Sequence, residues 1–423
     1  MRLSSSAGLA ITALSILGGC GTSTGVGLAE RGDYAGLRRY VEAHQRKLDG
    51  GEVRDIAHAV VARTLKDTKP EDASARLDLL QGCLKKVDDV VERRAKTRDD
   101  AGAHAAFLLV DGGVVSPGGY REEAGSDDAG WRAVGARTLF RERDGARRRG
   151  LFVDLDVRVR RGALFAALDA ADPGDAGALL DAARLDPDGL VRGVAARAAG
   201  RIGGRDVVLT LKDRWATADE PLRSSLASAW GMAASYDAGG RDQLLWVVET
   251  SRGVPALTAA GLLKGRGGSE AEAARAAILR AVESGPTDAR VSAIGYLDAD
   301  DPDAQKAMEK ASEDGDLRVR VAALGRLAWR KDHKQKALDD LAGYATGTSA
   351  VRNAARSAMA VAGDRRVVSL LAEDTRSAEP NVRAWAATEL ASMREFPDAA
   401  PVLADDDADA RTRAACALLA MKR

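Results

Sequence analysis

Pro380-Asn381-Val382-Arg383-Ala384-Trp385-Ala386-Ala387-Thr388-Glu389-Leu390 decides the fold, because close variants of this stretch return through the C-terminal two thirds of the chain. Anchored on the arginine, the copies fall at Arg132, Arg160, Arg192, Arg223, Pro255 in the arginine's place, Arg290, Arg320, Arg352, Arg383 and Arg411. The interval is roughly 30 residues, the period of a stacked helical array rather than of one globular core. Small residues three and four places after the arginine share a helix face with the apolar residue seven places after it, which lets neighbouring backbones approach closely. An arginine in the first helical turn opposes the helix dipole. Its recurrence there therefore calls for a fixed partner, an aspartate or a carbonyl of the adjoining unit.

Turn chemistry supports the same reading. Asp186-Pro187-Asp188, Glu220-Pro221 and Glu379-Pro380-Asn381 supply helix caps and a preset first-turn φ. Gly203-Gly204 and Gly363-Asp364 end one helix and admit a short second one. On these residues the stretch from about Asp127 to Arg423 resembles the HEAT-repeat family in its short bacterial form, the HEAT-like or PBS-lyase-type repeat. The resemblance implies an all-α, right-handed α-solenoid of about ten helical hairpins and a role in protein-protein scaffolding. A minority of the family are enzymes, similar in repeat pattern to bilin lyases or to a DNA glycosylase. At usual helix spacing about ten units make a curved rod on the order of 100 Å long.

The first twenty residues read as an export signal. A short charged start at Arg2 leads into the apolar run Leu9 to Leu17, then Leu17-Gly18-Gly19-Cys20. The ending resembles a bacterial lipobox, which makes Cys20 the lipidated residue and residues 1–19 the signal peptide. The run is too short to span a bilayer. Gly21 after the cysteine weakly favours the periplasmic face of the outer membrane or the cell surface. Residues 20–32 are then expected to be a flexible tether.

Residues 33–110 carry helical periodicity and form either a cap over the first repeat or degenerate repeats. The glycine-rich segment 111–130 is expected to be an irregular loop that marks a domain boundary, and 131–423 the repeat solenoid. Lysine plus arginine equals aspartate plus glutamate at 63 each in 423 residues, so no global field argues for nucleic acid. Aromatic residues are only 4%, few for base stacking.

No catalytic or cofactor constellation emerges. His44, His58, His104 and His333 lack metal-ligand spacing, and no Walker loop, dinucleotide fingerprint or nucleophile elbow is present. Asp298 to Asp303 briefly resembles a calcium loop, but the required glycine is Asp303, so helix capping is the better reading. Cys83 and Cys416 lack paired spacing and read as small core residues, with no disulfide framework. Arg141, Arg143, Arg147, Arg148 and Arg149 form a candidate patch for an anionic partner. Arg160, Arg192, Arg320, Arg352, Arg383 and Arg411 are the candidate repeat-stacking residues. The expectation is a lipid-anchored, non-catalytic scaffold or adaptor without a cofactor, binding protein and membrane but not nucleic acid. An enzyme and a passive envelope spacer are the alternatives.

Overall fold

A computed structural model describes residues 24–421 except 299 and 349. Among the described residues the chain is helical throughout, with no strand. Each repeat begins with a motif helix, such as Gly189–Ile202, Leu317–Leu327 or Pro380–Ser392, and continues into a second one, such as Arg205–Trp215 or Arg366–Asp374. The architecture is the expected all-α solenoid.

Successive motif helices lie against one another along their lengths, whereas successive second helices touch only sparsely. A stack that is tighter on one side curves toward that side, so the motif helices form an inner wall and the second helices an outer one. The cause is side-chain size. A Cβ placed on Gly200 would sit 2.6 Å from the carbonyl oxygen of Ala229, and one on Gly162 would sit 2.6 Å from that of Ala133. Only glycine fits these crossings.

The curvature closes the array. The last helix, Ala408–Ala420, packs on Gly50–Asp67 as closely as other motif helices pack on their second helices, and it also touches Gln81–Lys86. Helix contacts therefore run in an unbroken cycle, and the molecule is a ring rather than a curved rod. The final repeat has no second helix of its own within the described chain, and Gly50–Asp67 occupies that place. The N-terminal helices thus cover the open face of the first repeat, as a cap does, and that of the last repeat as well.

The seam between the ends is heavily furnished. Cys83 and Cys416 are joined by a disulfide across 333 residues, with Cα atoms 5.3 Å apart. This corrects their reading as unpaired core residues: only ring closure brings them together. Arg38 donates to Asp406 Oδ1 at 2.9 Å, Arg76 to Asp409 Oδ1 at 3.0 Å and Gln45 to Asp398 Oδ1 at 3.0 Å. Arg54 lies over the Phe396 ring at 5.2 Å.

Two further expectations change. The flexible tether does not extend to residue 32, because Thr24–Arg31 is a helix packed on Gly50–Asp67, with Gly25 buried between Ile56 and Tyr40. The signal peptide and Cys20 lie outside the described residues. Within the glycine-rich segment, Pro117–Gly125 is a 3-10 helix packed on Ala129–Arg137 rather than an irregular loop. It takes the position of a second helix, with Ala124 buried and Tyr120 stacked on Trp131.

Candidate binding surface on the inner wall

Most repeat arginines meet an aspartate of the following repeat, while Arg223, among the described residues, donates only to the carbonyls of Trp215 and Ala216. Arg160 Nε donates to Asp186 Oδ2 at 2.7 Å, in the turn that opens the next repeat, while its Nη1 donates to the carbonyls of Asp154 and Leu155 in its own turn. Arg383 does the same with Asp405 at 2.7 Å and with the carbonyls of Ser377 and Ala378. Arg132 pairs with Asp154 at 2.8 Å, and that hydrogen bond holds the Asp154 carboxyl below its ordinary range. Arg192 reaches Asp219 at 3.5 Å, Arg352 reaches Asp374 at 3.9 Å, and Arg320 donates to the Tyr344 hydroxyl at 2.9 Å.

The receiving aspartate also accepts a backbone N–H two residues on, and the aspartate there caps the next motif helix. Asp186 accepts from Asp188 N, and Asp188 from Val191 N. Asp405 and Asp407 repeat the pattern. One Asp-x-Asp-x-x-x-Arg register thus caps a helix, closes a turn and staples two repeats. Asp301, from the segment that resembles a calcium loop, caps Pro302–Ala311 and is held at about 2 by its hydrogen bond to Arg275. Among the described residues no group of His, Cys, Asp and Glu side chains could hold a metal ion.

With two sides of each motif helix against its neighbours and its back against the second helices, its remaining face looks into the ring. Leu190 lines that face, and Val254, Leu317 and Val361 are further exposed apolar residues of the motif helices. One groove of about 430 Å³ runs across three successive motif helices, lined by Val291, Ala322, Gly325, Ala354 and Ala358, with Asp288 and Arg318 paired at 2.8 Å on its edge. A second, of about 390 Å³, is lined by His104, Phe107, Phe165, Leu190, Arg158 and Arg161. About a dozen inner helices at 8–10 Å spacing give a ring roughly 35 Å across between helix axes and a free opening of roughly 20–25 Å.

The five arginines of the candidate patch divide between surface and core. Arg141, Arg143 and Arg147 are exposed and crowd Arg121, whose guanidinium is pushed below its ordinary range by burial and by these three cations. Arg148 does not belong to the patch. It is fully buried, paired with Asp175 and Asp172, and bonded to the carbonyl of Leu139. Arg149 pairs with Asp175 at 3.0 Å. Among the tryptophans, Trp131 and Trp230 are core, Trp385 is half-buried and donates to Ser357 and Glu389, and Trp329, in the turn after Leu317–Leu327, is 60% exposed. The inner-wall grooves escaped sequence reading because their residues come from several repeats, although the apolar residues just ahead of the arginines, such as Leu190 and Leu317, were a usable signal.

No family model matches the sequence, and no curated protein matches it. Solved structures that resemble the chain include YibA of E. coli, with 16% identity, 72% of this chain and 96% of that chain covered, and a TM-score of 0.30. An engineered protein shows 18% identity, 82% and 99% coverage, and a TM-score of 0.30.

Proposed function

We propose that this helical-repeat protein is a HEAT-like bacterial lipoprotein that acts as a non-catalytic, protein-binding scaffold at the cell envelope, with the inner wall as its binding surface. The observation that carries the reading is the pair of apolar grooves across the inner helices, with exposed Leu190, Val254, Leu317 and Val361 on the same helices. Apolar anchors in shallow grooves with charged rims are what protein interfaces use. An opening of roughly 20–25 Å admits an extended chain, a helix or a projecting loop.

Two observations favour an exported address. The Cys83–Cys416 disulfide suits an oxidising compartment. The lipobox-like Leu17-Gly18-Gly19-Cys20 supplies the anchor. Only Gly21, Thr22 and Ser23 separate Cys20 from the helix that begins at Thr24. The anchored ring is thereby held with its N-terminal seam within about 10–15 Å of the bilayer. Among the described residues no helix is long and apolar enough to cross a membrane.

Photo-crosslinking in the native cell tests the scaffold. A crosslinker at Val361 or Leu190 should capture a protein that one at Leu209, on the outer wall, does not. Equal capture from both faces would remove the inner wall as the binding surface. Separately, Cys20→Ala should move the protein from the membrane to the soluble fraction, and unchanged sedimentation would end the lipid anchor.

A further inference from the structure

The ring has one interface unlike all the others. Every other pair of neighbouring repeats is joined by the peptide chain, whereas Ala408–Ala420 meets Gly50–Asp67 through side chains and is joined to Gln81–Lys86 by one disulfide. Among the described residues the two surfaces are complementary: the last motif helix is followed by no second helix, and the N-terminal region carries one with no motif helix ahead of it. We infer that this seam is a general end-to-end interface that the Cys83–Cys416 bond makes intramolecular, and that without the bond it takes a second copy of this chain.

The geometry supports that partner on three grounds. First, the surfaces match by type. Ala414, Ala415 and Leu418 of the last helix and Val53, Ile56 and Val60 of Gly50–Asp67 are buried in one apolar cluster, so neither end is soluble alone without a cover. Second, the charges are paired across the seam and not within either side. Arg38 and Arg76 come from the N-terminal helices, while Asp406 and Asp409 come from the last repeat. A second copy presents the same set in the same order. Third, a head-to-tail contact between identical chains is heterologous and propagates unless its rotation closes. Within one chain the curvature of the stack already closes it.

The bond decides between the two outcomes because it converts an equilibrium contact into a permanent one. Thiol–disulfide exchange with a dithiol transfers two electrons to the sulfur pair, leaving the Cys83 and Cys416 thiols and oxidising the dithiol to its own disulfide. The seam is then held by its non-covalent contacts alone. The linked ends still favour the closed ring at low protein concentration, because their mutual effective concentration exceeds that of another chain. As chain concentration rises, the same surfaces pair between copies.

Complementary single-cysteine variants test this directly. In a Cys20→Ala background, Cys83→Ser and Cys416→Ser chains are mixed, unfolded in urea, refolded together at rising concentration and oxidised. A disulfide-linked dimer should appear only in the mixture, since each variant holds one of the two seam thiols, and its yield should grow at least tenfold between micromolar and hundred-micromolar chain. Helical circular dichroism on each variant establishes refolding. As a second route that needs no substitution at the seam, Cys20→Ala protein is reduced with dithiothreitol, refolded at the same concentrations, reoxidised and weighed by light scattering. Dimers and longer species linked through Cys83 and Cys416 support the inference. Refolded chains that stay monomeric at every concentration by both routes overturn it.

Discussion

The Arg411 guanidinium lies 3.8 Å over the Tyr34 ring, whereas Arg132, Arg160 and Arg383 each meet an aspartate of the following repeat. Arg411 is the last repeat arginine among the described residues, and no carboxylate of a following turn meets it there. Its own-turn bonds persist, with Nη1 donating to the Asp406 carbonyl at 3.1 Å. An aromatic face from the other end of the chain replaces the missing anion, a cation–π contact strengthened by burial. The repeat code and the ring closure meet at this residue.

The staples should differ sharply in worth. Arg160 and Asp186 are almost fully buried together, so Arg160→Ala leaves a buried carboxylate unpaired and should cost about 3–5 kcal/mol. Arg318 pairs with Asp288 in the open, and Arg318→Ala should cost less than about 1 kcal/mol. Urea unfolding gives the magnitudes. Hydrogen exchange should place the Arg160→Ala loss in Val157–Ala170 and Gly189–Ile202.

Acid should loosen the stack from its turns. Asp154 is held down by its hydrogen bond from Arg132, Asp316 by the backbone N–H of Arg318, and Asp301 is held at about 2 by Arg275. A carboxyl with a depressed folded value stabilises fully above its unfolded value of about 3.9 and loses that contribution as pH falls through the folded one. Thermal melts should hold steady down to about pH 4.5 and then drop toward pH 2. A transition centred near pH 6 would assign the loss to other groups.

Glycines on the two walls should respond with opposite sign. Gly200→Ala forces a methyl onto the backbone of Ala229 and should destabilise by about 1–3 kcal/mol. Gly177, in Ala176–Leu185, has open space where a Cβ would go, and Gly177→Ala should stabilise by about 0.5–1 kcal/mol. Paired denaturation curves read both changes.

The arginine patch separates into surface and core. Replacing Arg141, Arg143 and Arg147 together with Ala should leave the fold intact and weaken salt-sensitive binding to anionic vesicles. Arg148→Ala should instead unfold the neighbourhood of Gly145–Leu151, because it removes the buried cation shared by Asp175 and Asp172 and leaves Asp175 only Arg149, at a cost of about 3 kcal/mol. Vesicle co-sedimentation beside circular dichroism distinguishes the two. Equal vesicle binding by wild type and the triple variant would remove the patch's role.

Much of the site was legible because repeat chemistry is local. The Arg–Asp register at Asp186, Asp188 and Arg192 lies within seven residues, and its recurrence shows which side chains face the next unit. Burial of Arg148 was not legible, since Asp172 and Asp175 look like ordinary turn residues until the chain folds back. The same holds for Pro117–Gly125: six glycines between 111 and 130 conceal a second helix, and its close fit depends on Gly135 of Ala129–Arg137, where a Cβ would meet the backbone of Glu123 and Ala124.

By itself the sequence determined the helical hairpin, its period, its caps and the small-residue face that sets how closely neighbours stack. Those properties depend on residues a few positions apart. Tertiary structure alone decided that the stack returns on itself, because closure sums a small rotation at every interface, and no local pattern carries that sum. Cys83 could find Cys416, and Tyr34 could cover Arg411, only after the whole turn was complete.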